Sequence, residues 1–249
     1  MNIIVFDTET TSLQKPFCYN VGYIIYNVIT DTILDKKEFV IEQVWHNLPL
    51  FESAYYANKR QFYVSQMRTR KIKMMKYGHV CRAIAKDIEK YNISVAYAYN
   101  SSFDEKVFNF NCDWFKCINP FDTVEIKDIR GFAHNFIIDN NYKRFCEKHG
   151  LFTDSGNYST TAESVYKYII NNKDFVENHT ALSDSEIELD ILLYTVNKGA
   201  NLLEDYQTKR SIERKVKKEL IIETQNKKIF AFNCYGYTVY KSKNLIKLK

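Results

Sequence analysis

The order of the hydrophobic patterns along the chain restricts the possible folds more than any other feature of the sequence. Three apolar, β-branched runs lie near the start, NIIVF, VGYIIYNVI and KKEFVIEQV, and predict the strands of an antiparallel meander. From residue 93, strand-like and helix-like segments alternate, beginning with the short strand ISVAYAY. Strands followed by such alternation predict an α/β fold in which helices pack on the faces of a mixed β-sheet.

Helix boundaries are predicted from capping signals. The stretch from about Glu52 to Tyr91 has a helical and basic pattern, and YKRFCEKHG should form a helix that ends at Gly150. A capping box places Ser or Thr at the N-cap and Glu three residues later. Three such pairs predict helix starts: Ser102 with Glu105, Thr160 with Glu163, and Ser183 with Glu186. PFDTVEI, between the first two of these helices, is expected to be a further strand.

The composition is typical of a soluble globular protein. Of the 249 residues, 45% are hydrophobic and 26% are charged, a balance that excludes a largely disordered chain. No apolar run approaches the roughly eighteen residues of a membrane helix, and MNIIVFDTET lacks the pattern of a signal peptide. We therefore expect a cytoplasmic protein without a membrane partner. Six cysteines without a CxxC pair favour reduced, structural thiols over a zinc site.

The stretch IVFDTETTSL ends an apolar run with two carboxylates, Asp7 and Glu9. Side chains of an extended strand alternate between its faces, so both acids should point to the same side. Two like charges side by side repel unless a cation lies between them or one of them stays protonated. Alone, the pair is more typical of a strand that runs out into solvent with both acids hydrated. The choice between these readings depends on the rest of the chain.

Two more acids occupy positions at which α/β proteins build clefts. Asp104 follows the strand at 93–99 in the first turn of its helix, and Asp184 lies in the first turn of the helix expected to start at Ser183. Helix N-termini favour negative charge, and such turns commonly meet beyond strand ends. If the four acids converge, two hard divalent cations would offset their repulsion and could support attack on a phosphodiester. His179 would supply a base near neutral pH.

Three motifs, FDTET, NSSFD and HTALSD, occur in this order and resemble the exonuclease motifs of the DEDD superfamily, in its DnaQ-like branch. The spacing from His179 to Asp184 is similar to that of the histidine-bearing DEDDh subclass, and the chain resembles small phage or prophage-type members. The resemblance extends from about Ile3 to Leu193. It implies a ribonuclease H-like fold and a 3′→5′ exonuclease that releases 5′-mononucleotides by a two-metal-ion mechanism.

The same resemblance implies roles for individual residues. Asp7, Glu9, Asp104 and Asp184 would bind two Mg²⁺ or Mn²⁺ ions, with Asp7 bridging them, and His179 would be the general base. Contacts with the substrate are predicted at Thr8, Thr10, Leu13, Asn100 and Phe103. Leu13 would be an apolar wedge against the terminal bases. Ser12 stands where the family commonly has glycine, which leaves the conformation of the loop that carries Leu13 open.

The sequence leaves the substrate and the partners open. We expect DNA, single-stranded or frayed at its 3′ end, to be the preferred substrate. An exoribonuclease that trims RNA 3′ ends is an alternative, because the motifs serve both sugars. A nucleic-acid-binding or partner-binding module without catalysis is another, although the complete acid set argues against it. A separate polymerase is a possible partner, since this chain contains no polymerase segment.

Two basic regions lie outside the three motifs, one between the first and the second motif and one after the third. Lys59 to Lys76 interleaves lysines and arginines with Phe62, Tyr63 and Tyr77, a composition suited either to a single nucleic-acid strand or to a solvated helix whose rings pack inward. We assign residues 1–204 to an exonuclease domain and residues 205–249 to a basic extension. The extension is expected to form a helix and then a hairpin near Gly236, and it could bind nucleic acid, dock a partner or dimerise.

Overall fold

The computed structural model describes residues 1–208 and the backbone of Val239–Ser242 and Leu245–Leu248. The chain divides into two compact units, Met1–Tyr206 and Gln207–Lys249. In the second unit the two short described strands pair antiparallel. The predicted basic helix, from residue 209 on, and most of the predicted hairpin around residue 236 lie outside the described residues. The roles assigned to the two sequence ranges stay predictions.

The first unit is built on a mixed β-sheet of six strands. In chain order these are β1 (Asn2–Thr10), β2 (Cys18–Asn27), β3 (Thr32–Ile41), β4 (Lys73–Met75), β5 (Val95–Ala98) and β6 (Glu125–Asp128). Their order across the sheet is β4-β3-β2-β1-β5-β6. β1, β2 and β3 form the predicted antiparallel meander, whereas β5 pairs parallel with β1, β6 parallel with β5 and β4 parallel with β3.

Helices cover both faces of this sheet. In the part of the chain that the structure describes they are α1 (Glu42–Trp45), α2 (Leu48–Glu52), a 3-10 turn (Ala57–Lys59), α3 (Arg60–Arg68), α4 (Tyr77–Lys90), α5 (Ser101–Phe115), α6 (Ile129–Phe136), α7 (Asn140–His149), α8 (Ala162–Ile169) and α9 (Ala181–Asn197). α7 ends as predicted at Gly150, which adopts the left-handed conformation. Strands and helices together form the predicted α/β architecture.

The alternation of side chains along β1 separates two hydrophobic cores. Ile4 and Phe6 are buried in a core that also contains side chains of α4 and α5. Ile3 and Val5 point to the opposite face, into a core that contains side chains of α6, α7 and α9. β1 therefore lies between two apolar layers, which is why its apolar residues form an unbroken run instead of alternating with polar ones.

Two predicted elements differ from the structure. The stretch predicted as helical from about Glu52 to Tyr91 is interrupted by β4, which pairs with the edge of β3 through Lys73 opposite Phe39. Three residues, Lys-Met-Met, carry no strand pattern, so the pairing is decided by the neighbouring strand and not by local propensity. The further strand predicted at PFDTVEI begins later, at Glu125.

All three predicted capping boxes are wrong in their details. α5 follows Asn100, which is left-handed and makes no side-chain cap. α8 is capped by Thr161, whose hydroxyl accepts from Ser164 N, and α9 by Thr180, which accepts from Ser183 N. The helices thus begin one to three residues away from the sequence signal. At the starts of α5 and α9, tertiary hydrogen bonds hold the backbone N–H groups of Asn100 and Ala181, a constraint that a local pattern does not contain.

Candidate active site

β1 carries the first two acids of the site. The strand continues to Thr10, so Asp7 and Glu9 lie within it and not beyond its end, with Asp7 opposite Gly22 of β2. Glu9 is 9% exposed, and the hydroxyl of Tyr19 donates to its Oε2 at 3.4 Å. A register shift follows directly at Glu9 and Thr10. The two carboxylates are therefore held on a rigid strand between the two cores, not on a hydrated end.

α5 brings Asp104 to β1. Asp104 lies in the first turn of the helix and is 2% exposed. The hydroxyl of Thr8 donates to Asp104 Oδ1 at 2.6 Å. Thr8 points to the opposite face of β1 from its neighbours Asp7 and Glu9, so the strand binds the α5 carboxylate with one face and presents its own acids on the other.

α9 carries Asp184, and the first turn of this helix packs closely against β2. A methyl group on Gly22 would lie 2.1 Å from Leu182 N, so only glycine permits this approach. Asn20 Oδ1 accepts from Ala181 N at 2.8 Å, and the hydroxyl of Ser185 donates to Gly22 O at 3.2 Å. These contacts fix the position of Asp184 relative to Asp7, the residue of β1 that pairs with Gly22.

Three of the four predicted acids form one group. Carboxylate oxygens of Asp7, Glu9 and Asp184 lie within 4.8 Å of one another. Asp104 lies on the other side of Asp7, near enough that the Asp7 charge raises its pKa. Asp184 also belongs to a second group with His179 and Glu177, whose ligand atoms are again within 4.8 Å. The structure thus brings together the predicted acids and the predicted base, from three separate elements of the chain.

Burial and mutual repulsion change the titration of these acids. Burial raises the pKa of Asp7 from 3.8 to about 7. Burial, followed by the charges of Asp7 and Glu177, raises the pKa of Asp184 from 3.8 to about 9. The pKa of Glu9 is well above its ordinary value for the same reasons. The Lys59 ammonium opposes the shifts of Glu9 and Asp184 but does not cancel them.

His179 precedes α9 in the left-handed conformation, with φ of 46°. Its ring stacks on Tyr56, with centroids 4.2 Å apart and planes at 14°. Glu177 Oε2 lies 3.6 Å from His179 Nδ1. Burial and the nearby Lys59 charge lower the pKa of His179 below 6.5, so the ring is neutral at pH 7 and can accept a proton.

The predicted substrate contacts fall into two groups. Thr8 is buried and bound to Asp104, so it positions a carboxylate and is not open to a substrate. Leu13 is 73% exposed and Asn100 is exposed, while Thr10 and Phe103 are half-buried. Leu13 is carried by a turn that Ser12 closes, since its hydroxyl accepts from Lys15 N and donates to Lys15 O.

The basic segment from Lys59 to Lys76 combines buried and exposed side chains. Tyr63 and Tyr77 are fully buried, so two of its three interleaved rings pack inward, while Phe62 is 44% exposed. Arg60 stacks on Trp45, with 4.3 Å between the guanidinium carbon and the ring centroid. The ammonium of Lys59 lies 5.5 Å from the ring centroid of Tyr56, and its charge lowers the pKa of both Glu9 and His179.

Sequence reasoning missed two acids and one ring at the site. Glu177 lies beside His179, Tyr56 stacks on the imidazole, and Glu188 is buried on α9. Glu188 carries a recognisable signal, because it follows Asp184 by four residues and shares its helix face. Nothing in the sequence marks Tyr56, since its loop is joined to the site only by the tertiary fold.

The donor set is suited to a metal ion. Asp184 Oδ1 is buried and lacks a hydrogen-bond partner, as does Glu188 Oε2. Buried carboxylate oxygens without partners are costly unless a cation or a proton compensates them. Carboxylate oxygens are the ligands that hard divalent cations prefer. The acids of this site could therefore hold a metal ion.

A second group of possible ligands consists of Cys81, Cys112 and Cys117, whose sulfur atoms lie within 4.8 Å of one another. The described cysteines form no disulfide. All three pack in or against the α4–α5 core, where they contact apolar side chains. Among the helices of residues 1–208, none is both long and apolar enough to cross a membrane.

Comparison with known proteins gives structural matches alone. No protein-family model matches the sequence, and no curated protein matches it. The nuclease domain of 3'hExo, a DEDDh family member solved with rAMP, is 14% identical with a TM-score of 0.52, over 83% of this chain and 97% of that one. A 3'-exonuclease solved in 3'-end specific recognition of histone mRNA stem-loop is 14% identical with a TM-score of 0.55, over 80% of this chain and 82% of that one.

E. coli exonuclease I in complex with a dT13 oligonucleotide is 13% identical with a TM-score of 0.47, over 89% of this chain and 44% of that one. At 13–14% sequence identity, a structural match shows a shared fold and not a shared function. The first two matches exceed a TM-score of 0.5 over nearly the whole of Met1–Tyr206. This chain therefore has the mixed-sheet, ribonuclease H-like fold that DEDDh 3′→5′ exonucleases also have.

Proposed function

We propose that the protein is a metal-dependent 3′→5′ exonuclease that releases 5′-mononucleotides. One observation carries the proposal: Asp7, Glu9 and Asp184 converge within 4.8 Å at the strand that also binds Asp104, with a neutral His179 beside Asp184. Such a concentration of partly buried acids destabilises the fold unless a cation or bound protons compensate their charge. A general base next to a metal site formed by carboxylates is suited to phosphodiester hydrolysis.

In this proposal Asp7, Glu9, Asp104 and Asp184 would hold two Mg²⁺ or Mn²⁺ ions, with Asp7 shared between them. The bound ions would supply charge stabilisation for the phosphoryl group and orient the reacting oxygens. His179 accepts the proton of the attacking water. Glu177 near Nδ1 favours the tautomer with a proton on that nitrogen, which leaves Nε2 as the acceptor. Tyr56 restricts rotation of the imidazole by stacking on it.

We propose DNA with a single-stranded or frayed 3′ end as the preferred substrate. RNA is the second candidate, and it has an observation in its favour: of the structures with TM-scores above 0.5, one was solved bound to rAMP and another shows 3'-end specific recognition of a histone mRNA stem-loop. Exposed Leu13 and Asn100 would contact the terminal nucleotides in either case. A polymerase partner, a cytoplasmic location and the phage or prophage type stay predictions from the sequence.

The test uses matched DNA and RNA oligonucleotides labelled at the 3′ or the 5′ end. Wild-type protein with Mg²⁺ or Mn²⁺ should shorten the strand stepwise from its 3′ end and release 5′-mononucleotides, and EDTA should stop the reaction. Asp7→Ala should abolish cleavage while the protein stays folded, because removal of one charge relieves repulsion among the remaining acids. Comparison of the two sugars decides between DNA and RNA.

Asp113→Ala is the matched control, since this exposed acid lies on α5 outside the acid group. It should cleave like the wild type. Full activity of Asp7→Ala, or of wild type in EDTA, would contradict the metal-dependent mechanism. Endonucleolytic fragments or shortening from the 5′ end would contradict the assigned polarity.

A further inference from the structure

Three cysteines from two helices and the turn after them meet between α4 and the C-terminal end of α5. Cys81 lies in the second turn of α4, Cys112 lies in the last turn of α5, and Cys117 follows that helix. Lys116, in the left-handed conformation, ends α5, and Cys117 N donates to Cys112 O at 3.0 Å. Cys81 is 31 positions away from Cys112 in sequence, so no local spacing records this cysteine group.

The sulfur atoms of the cysteine group are spaced like the ligands of one metal ion. Cys81 Sγ lies 3.9 Å from Cys112 Sγ and 3.9 Å from Cys117 Sγ, and all three sulfur atoms lie within 4.8 Å of one another. These distances are far above the roughly 2.0 Å of a disulfide bond. Tetrahedral Zn²⁺ holds thiolate sulfurs at about 2.3 Å, which places two of them about 3.8 Å apart. The group therefore fits around a single ion with only small side-chain movements.

A buried hydroxyl lies in the same helix interface. Tyr77 precedes Cys81 by one turn of α4, and its ring contacts Phe108 and Phe115 of α5, with centroids 6.2 Å and 5.5 Å apart. These two rings lie one turn before and one turn after Cys112 on α5. Within the described part of the chain, the Tyr77 hydroxyl is buried without a hydrogen-bond partner. Such a donor is costly to bury, and a thiolate in this interface would offer it an acceptor.

Access and charge also suit a metal ion. Cys81 and Cys112 are 3% and 5% exposed, whereas Cys117 is half-buried and gives solvent a route to the group. Binding of Zn²⁺ would release three thiol protons and leave one net negative charge on the site. Arg82 Nη1 and Cys117 Sγ each lie 4.0 Å from the point that a methyl group on Gly78 would occupy. The Arg82 guanidinium is therefore placed to offset that charge.

We propose that Cys81, Cys112 and Cys117 bind one thiophilic metal ion, best suited to Zn²⁺, with a water molecule on the Cys117 side as the fourth ligand. Thiolates prefer soft metal ions and carboxylates prefer hard ones, so this site is distinct in chemistry from the acids around Asp7. The ion would join α4 to the end of α5, the helix whose first turn carries Asp104. Its role is structural, and it does not depend on the proposed nuclease function.

The test is titration of the reduced full-length protein with Co²⁺, a spectroscopic substitute for Zn²⁺, in excess Mg²⁺. Mg²⁺ prefers oxygen ligands and leaves the thiols free. Wild type should gain a thiolate-to-cobalt charge-transfer absorption that saturates at one ion per chain, and Zn²⁺ should then remove it. Co²⁺ bound by carboxylates gives no such absorption. In excess Mg²⁺, Zn²⁺ should also raise the Tm of wild type.

Cys112→Ala should abolish the charge-transfer absorption and weaken Zn²⁺ binding by about tenfold or more, since even the partners of a metal ligand contribute that much to affinity. If this variant fails to fold, Cys117→Ala, at the half-buried position, carries the same expectation. Cys146→Ala is the matched control, because this buried free cysteine lies in the other core. It should keep the absorption and the affinity of wild type.

Absence of the absorption in reduced wild type would overturn the inference and identify the group as three packed thiols. The same conclusion would follow if Cys112→Ala or Cys117→Ala bound Zn²⁺ as tightly as wild type. Reduced protein that binds no Co²⁺ but forms a disulfide within the group in air, detected by mass spectrometry, would overturn it in favour of a redox pair. Wild type that binds Zn²⁺ at the cysteines and cleaves no nucleic acid would overturn the proposed function alone.

Discussion

If the site holds divalent cations as proposed, protons and these cations compete for the same side chains. Asp7 and Asp184 have pKa values of about 7 and about 9, so in metal-free protein near neutral pH Asp184 is mostly protonated and Asp7 is about half ionised. Metal binding has to displace those protons, which makes the affinity for the ion pH-dependent. Lys59 supplies part of the missing positive charge, since it lowers the pKa of both Glu9 and Asp184.

His179 is the residue whose role can be separated from metal binding. His179→Ala should lower kcat by about 10²- to 10⁴-fold, the usual effect of removing a positioned general base, and should change KM much less. Steady-state cleavage of a labelled oligonucleotide measures both constants. The exposed His46 gives the control His46→Ala, which should leave both unchanged. A rise in KM at constant kcat would identify His179 as a contact residue instead.

At the scale of single residues, the sequence predicts the site where chemistry and spacing act together. Asp7 and Glu9 alternate on a strand, and Asp184 follows His179 at a fixed interval, so a local pattern contains them. Tyr56 reaches the imidazole by tertiary packing, and the charge of Lys59 reaches Glu9 in the same way, whereas Glu177 is a neighbour of His179 in sequence that belongs to no motif. No local period records such contacts, which is why the sequence did not reveal them.

At the scale of elements, the strands of the meander are predicted well because a run buried on both faces leaves a continuous apolar signal. The short strand β4 leaves no such signal, since its three residues depend on the edge of β3. The helix starts are displaced because long-range bonds compete with capping: Ala181 N binds Asn20, and Asn100 N binds Asp128 Oδ1. Local propensity decides a boundary only where no tertiary bond competes with it.

The close packing of α9 against Gly22 of β2 predicts the effect of a substitution at this glycine. Gly22→Ala should lower the free energy of unfolding by at least about 1–3 kcal/mol, because the new methyl group would meet backbone atoms of Ala181 and Leu182 at 2.1–2.5 Å. It should also reduce cleavage, since α9 has to move and carries Asp184 with it. Denaturant unfolding and the labelled-oligonucleotide assay measure the two effects.

Gly78→Ala is the control for this substitution. The nearest atom to its added methyl group is Cys117 Cβ at 3.4 Å, and the position lies in α4, where alanine is the better helix former. Its stability should be unchanged or slightly higher and its cleavage unchanged. If Gly22→Ala were as stable as wild type, the close packing of α9 against β2 would be contradicted.

At the scale of the whole Met1–Tyr206 unit, the two cores meet along β1 and enclose the acids between them. The α4–α5 core places Asp104, and the core on the other face places α9. A fold that excludes water from both sides of the strand necessarily desolvates carboxylates at its end. The stability of the unit should therefore depend on the charge state of the site and on bound cations, which links folding to function.

This link predicts how the metal-free protein responds to pH. Asp7 and Asp184 have an ordinary pKa of 3.8 and folded pKa values of about 7 and about 9. Between these values the folded protein holds protons that the unfolded chain has released, so stability is greatest in acid and falls as pH rises from about 4 to about 9. In EDTA, the midpoint of denaturation should therefore decrease as the pH is raised from about 5.5 to about 8.5. Mg²⁺ should reduce the fall, because cations replace the lost protons, and Asp184→Asn should flatten it whereas Asp113→Asn should not. A midpoint in EDTA that rises over this range would contradict the burial of these acids.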